Sequence, residues 1–237
     1  MRDHKLPLMA EGHEIWLGGT RVEGSEVELS LSYGHNMRQD GTIDPRRISP
    51  LVYTPAGATL RPPLTPSEDR YLIRFPAESE GHYVAIADMS AVVFSKTDEG
   101  YQIGPRYQFK NVTYAGAFHQ MAKTVIPVGD VGQFQGDPIH GILDIVPEDI
   151  RLEVSRDVAL RVYYEGRPLP SAEIGAVSQR EGGEIFTMKT DDDGRAKGTI
   201  TAEGEWMFLA RHRDTAKRVS EEFDETVFIA TLVMEAR

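Results

Sequence analysis

The feature that most constrains this chain is a two-residue alternation of apolar and polar side chains across residues 26–33. Val27, Leu29 and Leu31 share one face of an extended chain, whereas the residues between them are acidic or serine. A half-buried β-strand requires this period of two. Similar short apolar runs recur towards the C-terminus, each closed by Gly, Pro or Asp. The pattern therefore predicts many short strands.

The predicted strands fall into two groups, which indicates two β-sandwich domains in tandem. Runs at 51–53 and 71–75 predict short strands, and 82–94 predicts either two strands or one bent strand. Residues 114–123 favour a helical turn weakly, through their Ala, Met and Gln content. After residue 151, six or so short strands in under a hundred residues predict a compact sandwich. We place the domains at residues 13–147 and 148–237 of an all-β protein.

Composition excludes several classes of function. The formal net charge of −11 argues against a nucleic-acid partner, which needs clustered Lys and Arg. The chain has no cysteine, so it has no disulfide, thiolate metal site or Cys nucleophile. Any metal would sit on His, carboxylate or backbone atoms, which favours nickel, copper, zinc or cobalt on imidazole. No stretch approaches the ~18–20 apolar residues of a membrane span.

The first twelve residues leave two interpretations open. They are too short for a secretory signal peptide, yet residues 6–12 are compatible with the tail of one. Ala10 and Gly12 fit the small-x-small rule for signal cleavage, which would leave His13 at the mature N-terminus. The alternative is a plain disordered leader.

Catalytic motifs are missing from the sequence. It contains no G-x-S-x-G elbow, no H-E-x-x-H pair and no glycine loop in the strand-to-helix setting that cradles phosphates. We therefore expect a protein that is not an enzyme.

Four histidines begin or continue a core-facing row of apolar residues: His13, His35, His82 and His212. His35, for example, lies two residues after Tyr33 on the apolar face of its strand. Ends of several strands converge at one rim of a sandwich, and three or four imidazoles with one open position make a metal site. The set therefore predicts a metal site. The alternative for each histidine is a hydrogen-bonded structural role.

Three other motifs have ordinary structural interpretations. The run Asp191-Asp192-Asp193-Gly194 resembles half of a calcium loop, but an Asp-Gly hairpin turn is the favoured interpretation. The acidic residues 221–225 predict a solvated loop. A set of aromatic residues, expected to be exposed, would suit a carbohydrate or protein partner: Tyr101, Tyr107, Tyr114 and Phe118.

Several segments, taken in order, resemble one known family. They are His13-Glu14-Ile15-Trp16-Leu17, Tyr33-Gly34-His35, Leu143-Asp144-Ile145-Val146-Pro147, residues 165–172, residues 190–195, and Gly204-Glu205-Trp206 with His212. The family is DUF4198, also described as nickel- or cobalt-uptake-associated periplasmic proteins. The resemblance implies immunoglobulin-like or transthyretin-like sandwiches. Its C-terminal module is similar to transthyretin-like and carboxypeptidase-regulatory-like domains.

The resemblance also implies a function, which we state as an expectation. An exported periplasmic protein, its signal sequence incomplete here, would bind nickel, cobalt or copper as an accessory to a membrane metal transporter. A sharper hypothesis follows if cleavage occurs after Gly12, because His13 would then chelate one ion through its α-amine and imidazole, with His35 or His212 completing the coordination. The alternative function is a non-catalytic sandwich that binds carbohydrate or protein at the cell envelope. The third possibility is a purely structural protein of the cell envelope.

Overall fold

Alternating and continuous apolar runs form strands along almost the whole chain. The computed structural model describes residues 6–134 and 140–237. The strands in these ranges are β1 Glu14–Glu23, β2 Glu26–His35, β3 Arg38–Gln39, β4 Ile48–Tyr53, β5 Thr59–Leu60, β6 Leu64–Ser67, β7 Arg70–Pro76, β8 Gly81–Thr97, β9 Gly100–Ile103, β10 Tyr114–Val128, β11 Leu143–Pro147, β12 Asp157–Tyr164, β13 Arg167–Pro168, β14 Glu173–Ser178, β15 Gly183–Lys189, β16 Arg195–Thr199, β17 Gly204–Asp214 and β18 Glu225–Ala236. Short 3-10 helices span Leu6–Glu11, Pro45–Arg47 and Arg106–Gln108.

These strands form three sheets. One sheet has the order β1-β2-β7-β6, with β3 paired to β2. A large sheet has the order β15-β14-β17-β18-β10-β8-β4-β5, with β9 paired to β8, and the third has the order β11-β12-β13, with β16 paired to β12. The first core lies between the first sheet and the β4–β8–β10 side of the large sheet, and the second between the third sheet and the β14–β17 side. The predicted all-β fold of two sandwiches is confirmed.

The last strand, β18, belongs to both sandwiches. It pairs antiparallel with β17 and parallel with β10, so the large sheet continues from one sandwich into the other. Because side chains alternate along a strand, Val227 and Ile229 enter the first core, whereas Phe228 and Leu232 enter the second. The division at 147/148 stays a prediction. Strand β11, which ends at Pro147, pairs with β12 in the second sandwich.

The segment 114–123, expected to form a helical turn, is instead the first part of strand β10. This strand is hydrogen-bonded to β8 on one side and to β18 on the other, and most of its side chains are buried on both faces. A strand covered on both faces has a continuous apolar run and lacks the alternation of a half-exposed strand. The weak helix propensity of Ala and Met is overridden by these pairings.

Residues 82–94 belong to one bent strand, the second of the two predicted possibilities. Strand β8 pairs with β10 through a register shift, because Val92 lies opposite Phe118 whereas Met89 lies opposite Gln120. An irregularity of this kind bends a strand while its pairing continues on either side.

The segment Leu6–Glu11 has regular structure, so a disordered leader is wrong for these residues. These residues form a 3-10 helix, and Met9 is 1% exposed within the first core. Residues 1–5 of the expected leader lie outside the described residues. No helix in the described ranges has the length and apolar character needed to cross a membrane.

The Asp191–Gly194 segment is a turn, but it does not close a hairpin. The Asp191 carboxylate accepts hydrogen bonds from the backbone nitrogens of Asp193, at 3.0 Å, and Arg195, at 2.8 Å. Gly194 has a φ of +72°, which glycine adopts without steric cost. The turn connects β15 in the large sheet to β16 in the third sheet.

Two groups of residues that were expected to be exposed, the acidic residues 221–225 and the aromatic set, each contain a buried member. Glu225, expected in a solvated loop, is 7% exposed and accepts hydrogen bonds from the Tyr114 hydroxyl and from Arg213. Phe118 is 4% exposed in the first core, whereas Tyr107 is 65% exposed. The four aromatic residues therefore do not form one exposed platform, because β10 is covered on both faces.

Candidate functional site

Side chains of β10 and β18 form hydrogen bonds with the backbone at the start of β1. The Gln120 amide on β10 accepts a hydrogen bond from the Ile15 nitrogen at 2.9 Å and donates one to the His13 carbonyl at 2.8 Å. The Thr231 hydroxyl on β18 donates to the Ile15 carbonyl at 2.8 Å. Since buried main-chain groups need such partners, these contacts position His13 at the rim of the first sandwich.

The structure brings His13 and His35 together. His35 ends β2, the neighbour of β1, and the two ring centroids are 5.9 Å apart at an angle of 27°. The His13 side chain is 19% exposed and the His35 side chain 53% exposed. The pair is thus open to solvent on the His35 side.

Each ring is held by an oxygen acceptor at one nitrogen. His35 Nδ1 lies 3.2 Å from the Gly12 carbonyl, which only accepts, so we assign the proton to Nδ1. His35 Nε2 then accepts from the Asn36 amide at 3.1 Å. His13 Nε2 lies 3.3 Å from Asp40 Oδ2, and among the described residues His13 Nδ1 has no hydrogen bond. Among the described residues, the ring lone pair without a hydrogen bond in this arrangement is on His13 Nδ1, because the His35 Nε2 lone pair accepts from Asn36.

A buried carboxylate lies beside the pair. The Glu14 side chain is 1% exposed, and its Oε1 accepts a hydrogen bond from the Asn36 nitrogen at 2.7 Å. Its Oε2 is buried without a hydrogen-bond partner, 3.6 Å from His35 Nδ1 and 3.6 Å from Arg211 Nη2. Burial raises the pKa of Glu14, and the Asn36 N–H, His35 and Arg211 oppose that rise. Such a carboxylate is poorly satisfied and would gain from a further cation.

Gly34 allows the hairpin after β2 to pass close to the site. A Cβ at Gly34 would lie 2.0 Å from the Arg38 carbonyl oxygen, a backbone atom that cannot move aside alone. The Asp40 nitrogen also donates to the Tyr33 carbonyl at 2.8 Å across this turn. The Gly34 position therefore allows the backbone of residues 38–40 to approach β2 closely.

We expect Gly34→Ala to lower the free energy of unfolding by about 1–3 kcal/mol, because the added methyl group separates the β2–β3 pair. Urea unfolding followed by circular dichroism measures the change. Gly183→Ala is the matched control, since a Cβ there meets no atom within 4 Å. Equal stability of the two variants would contradict this account of Gly34.

The rim pair does not by itself complete a metal centre. Among residues 6–134 and 140–237, no group of three or more His, Asp or Glu side chains is arranged to hold an ion. In addition, the Arg211 Nη2 donates to the Gly12 carbonyl at 2.8 Å, which places a positive charge beside Glu14. The observed elements are two imidazoles, the buried Glu14 carboxylate with one unpaired oxygen, and the half-exposed Asp40 carboxylate.

His212 is not brought to the pair. Arg211 reaches Gly12 from one face of β17, and successive side chains of a strand point to opposite faces. The His212 ring accordingly packs on the other face, 4.2 Å from the Tyr164 ring between centroids. Burial lowers the pKa of His212, which favours the neutral imidazole over the charged form.

His82 lies elsewhere, in a cleft of about 950 Å³ between the two sandwiches. Its ring meets the edge of Phe134 at 5.2 Å between centroids, and its Nε2 is buried without a hydrogen-bond partner. Burial and the neighbouring Arg151 lower the pKa of His82. Of the four histidines predicted to share a metal, the structure thus brings together two.

Sequence reasoning missed the groups that surround the pair. Glu14 is adjacent to His13 in the sequence and precedes the apolar run Ile15-Trp16-Leu17. An acidic residue at that position could have indicated a buried carboxylate beside His13. Asp40 follows strand β3 directly, in a segment without regular secondary structure. Gln120 and Arg211 come from distant strands, and no local pattern indicates that they meet β1.

Comparisons with known proteins give a family and distant folds. A model of the domain of unknown function DUF4198 matches residues 10–214. No curated protein matches the chain in sequence. The D0–D1 domain of intimin is 12% identical over 89% of this chain and 90% of that chain, with a TM-score of 0.22. Murine CEACAM1b is 11% identical over 95% of this chain and 98% of that chain, with a TM-score of 0.23.

Proposed function

Since this chain belongs to the DUF4198 family, we propose the function that its rim residues support best, the binding of a divalent transition-metal ion such as nickel, cobalt or copper. The supporting observation is the neighbouring pair His13 and His35, each with one ring nitrogen facing an oxygen atom. Histidines that bind metals typically donate their second N–H to a carboxylate or backbone carbonyl, which orients the ring. Asp40 and the Gly12 carbonyl are placed for that role.

The donor set suits such an ion in its chemistry. Imidazole nitrogens with carboxylate oxygens are ligands that nickel, cobalt, copper and zinc accept. Glu14 Oε2 has no hydrogen-bond partner, and a bound ion would supply one. The His13, His35 and Glu14 side chains would have to move to bring three ligands together, since they do not converge in the described structure.

We expect stoichiometric binding of Ni(II), Co(II) or Cu(II) by untagged protein, measured by isothermal titration calorimetry. His13→Ala and His35→Ala should each weaken binding at least tenfold, because each removes a ligand. His119→Ala is the matched control, since His119 is paired with Asp88 at 2.8 Å and was not predicted as a ligand. Binding that is equal in all three variants would contradict the proposed site.

Metal affinity should fall as the pH is lowered, because protons compete with the ion for imidazole nitrogen. The raised pKa of Glu14 adds to this effect, since that carboxylate gains a proton at a higher pH than an exposed glutamate. The same calorimetric titration at several pH values measures the trend. Affinity that is independent of pH would argue against imidazole ligands.

The periplasmic location and the accessory role beside a membrane metal transporter belong to this proposal. The version with an α-amine ligand needs a mature N-terminus at His13, and such a chain would lack Met9 in its core. Mass spectrometry of protein exported by its native host identifies the mature N-terminus. Any start other than His13 removes the α-amine version and leaves the imidazole site to be tested separately.

The alternative of a carbohydrate- or protein-binding module has less support. Its sequence basis was an exposed aromatic platform, and Phe118 is buried in the first core. Binding of a glycan or cell-surface protein that is unaffected by metal removal would select this alternative. We also keep the absence of catalysis as a proposal.

A further inference from the structure

A fully buried ion pair joins the two sandwiches away from the histidine rim. Lys123 on β10 and Asp144 on β11 have side chains that are 3% and 0% exposed, and Lys123 Nζ donates to Asp144 Oδ1. The residues are 21 positions apart in sequence. Burying two charges is costly unless every hydrogen-bonding group is satisfied, so this pair requires an explanation.

The carboxylate is well satisfied, but the ammonium is not. Asp144 Oδ2 accepts a hydrogen bond from the His140 nitrogen at 2.9 Å, so both oxygens have partners. The Lys123 ammonium has three N–H donors, and Asp144 is its hydrogen-bond partner in the described part of the chain. Burial lowers the pKa of Lys123, although Asp144 opposes this shift.

The surroundings of Lys123 exclude water rather than solvate a cation. Ile86 lies opposite Lys123 on β8, and Leu232 lies opposite it on β18. Met121, two positions away on β10, forms an apolar cluster with Ile86, and Val125 packs against that cluster. In such surroundings an ammonium group with unpaired N–H donors is poorly accommodated.

We propose that Lys123 and Asp144 form an intramolecular isopeptide bond, which would fasten strand β10 of the first sandwich to strand β11 of the second. The juxtaposition of a buried amine and a buried carboxyl group, with donors in excess of acceptors, carries this proposal. A secondary amide has one N–H in place of three, so its formation removes unsatisfied donors. This inference is independent of the proposed metal site.

The reaction is a dehydration that needs no oxidant, reductant or second substrate. A proton passes from the Lys123 ammonium to Asp144 Oδ1, which gives an amine and a carboxylic acid. The Nζ lone pair forms a bond to Cγ, a second proton passes from nitrogen to the departing Oδ1, the Cγ–Oδ1 bond breaks and water leaves. Oδ2 becomes the amide carbonyl oxygen and keeps its hydrogen bond from the His140 nitrogen. Holding the reacting groups in contact supplies much of the entropic advantage.

The test is the intact mass of the folded full chain, measured after denaturation. We expect the wild-type protein to be lighter than its sequence mass by one water molecule. Peptide mapping should find a branched peptide that joins Lys123 to Asp144, and trypsin should not cleave after Lys123. Lys123→Met should have its full sequence mass.

Asp144→Asn gives an independent check, because the same bond then forms with loss of ammonia instead of water. Its cross-linked product should have the same mass as the wild-type product, although the two starting chains differ. A variant that fails to fold does not affect the measurement on the wild type.

Loss of water at another position must be distinguished, since Asp40 and Asp193 are each followed by glycine and can cyclise to a succinimide. Fragmentation of the peptides locates the change. The proposal is overturned if folded wild-type protein keeps its full mass after prolonged incubation at neutral pH. It is overturned equally if the missing water maps to Asp40 or Asp193.

Discussion

Lys123→Met should lower the free energy of unfolding by about 3–5 kcal/mol, because it leaves the Asp144 carboxylate buried without its cation. Asp144 would keep the hydrogen bond from the His140 nitrogen, which is insufficient for a charge with no solvent exposure. Urea unfolding, followed by far-ultraviolet circular dichroism, measures the loss. The variant is close to isosteric, so the cost of an added cavity is small.

The control is the double variant Lys123→Met/Asp144→Val, in which neither buried charge remains. We expect it to regain most of the lost stability, since replacing a buried ion pair by apolar side chains is often neutral or favourable. A cross-link in the wild type would enlarge the difference in stability between the wild type and both variants. The mass of the wild-type protein is therefore measured first. If the single and double variants are equally unstable, the loss comes from packing and the argument from the unpaired charge is wrong.

Trp206→Ala should lower the free energy of unfolding by about 3–5 kcal/mol, because its indole fills the second core. Trp206 is 0% exposed, and its Nε1 donates to the Ala202 carbonyl at 2.9 Å. Since β18 contributes side chains to both cores, we expect the two sandwiches to unfold in one transition. The destabilisation should then be visible from the first sandwich as well.

Trp16 on β1 provides a second probe, at the contact between the first sheet and the large sheet, because it is the other tryptophan of the chain. It is 4% exposed and packs in a cluster with Val177, Met207 and Val233 from the large sheet. In Trp206→Ala, Trp16 fluorescence and circular dichroism should report the same lowered midpoint. Phe94→Ala in the first core is the matched variant. It should likewise lower the midpoint of a single unfolding transition that both probes report. Two separate transitions would show that the sandwiches unfold independently, contrary to the role assigned to β18.

Local patterns of apolar and turn residues are sufficient to predict the class of fold and the location of most strands. The alternation at Val27, Leu29 and Leu31 predicts β2, and the turn residues after each run predict where strands end. These signals are local, because the period of two arises from the geometry of a single extended chain. The sequence also indicates that His35 ends the core-facing row of β2. The same pattern predicts that His13 lies at the same rim of the sandwich.

Tertiary structure alone decided which groups meet. Residues 114–123 became a strand because β8 and β18 supply hydrogen bonds on both sides, which overrides a weak helix propensity. His212 and His82 separated from the rim pair because strand parity and register place their side chains elsewhere. Asp144 met Lys123, and Gln120 met His13, through pairings between strands remote in sequence. The physical reason is that periodicity reports which face a residue occupies, whereas the pairing of sheets and the burial of their cores decide what that face contacts.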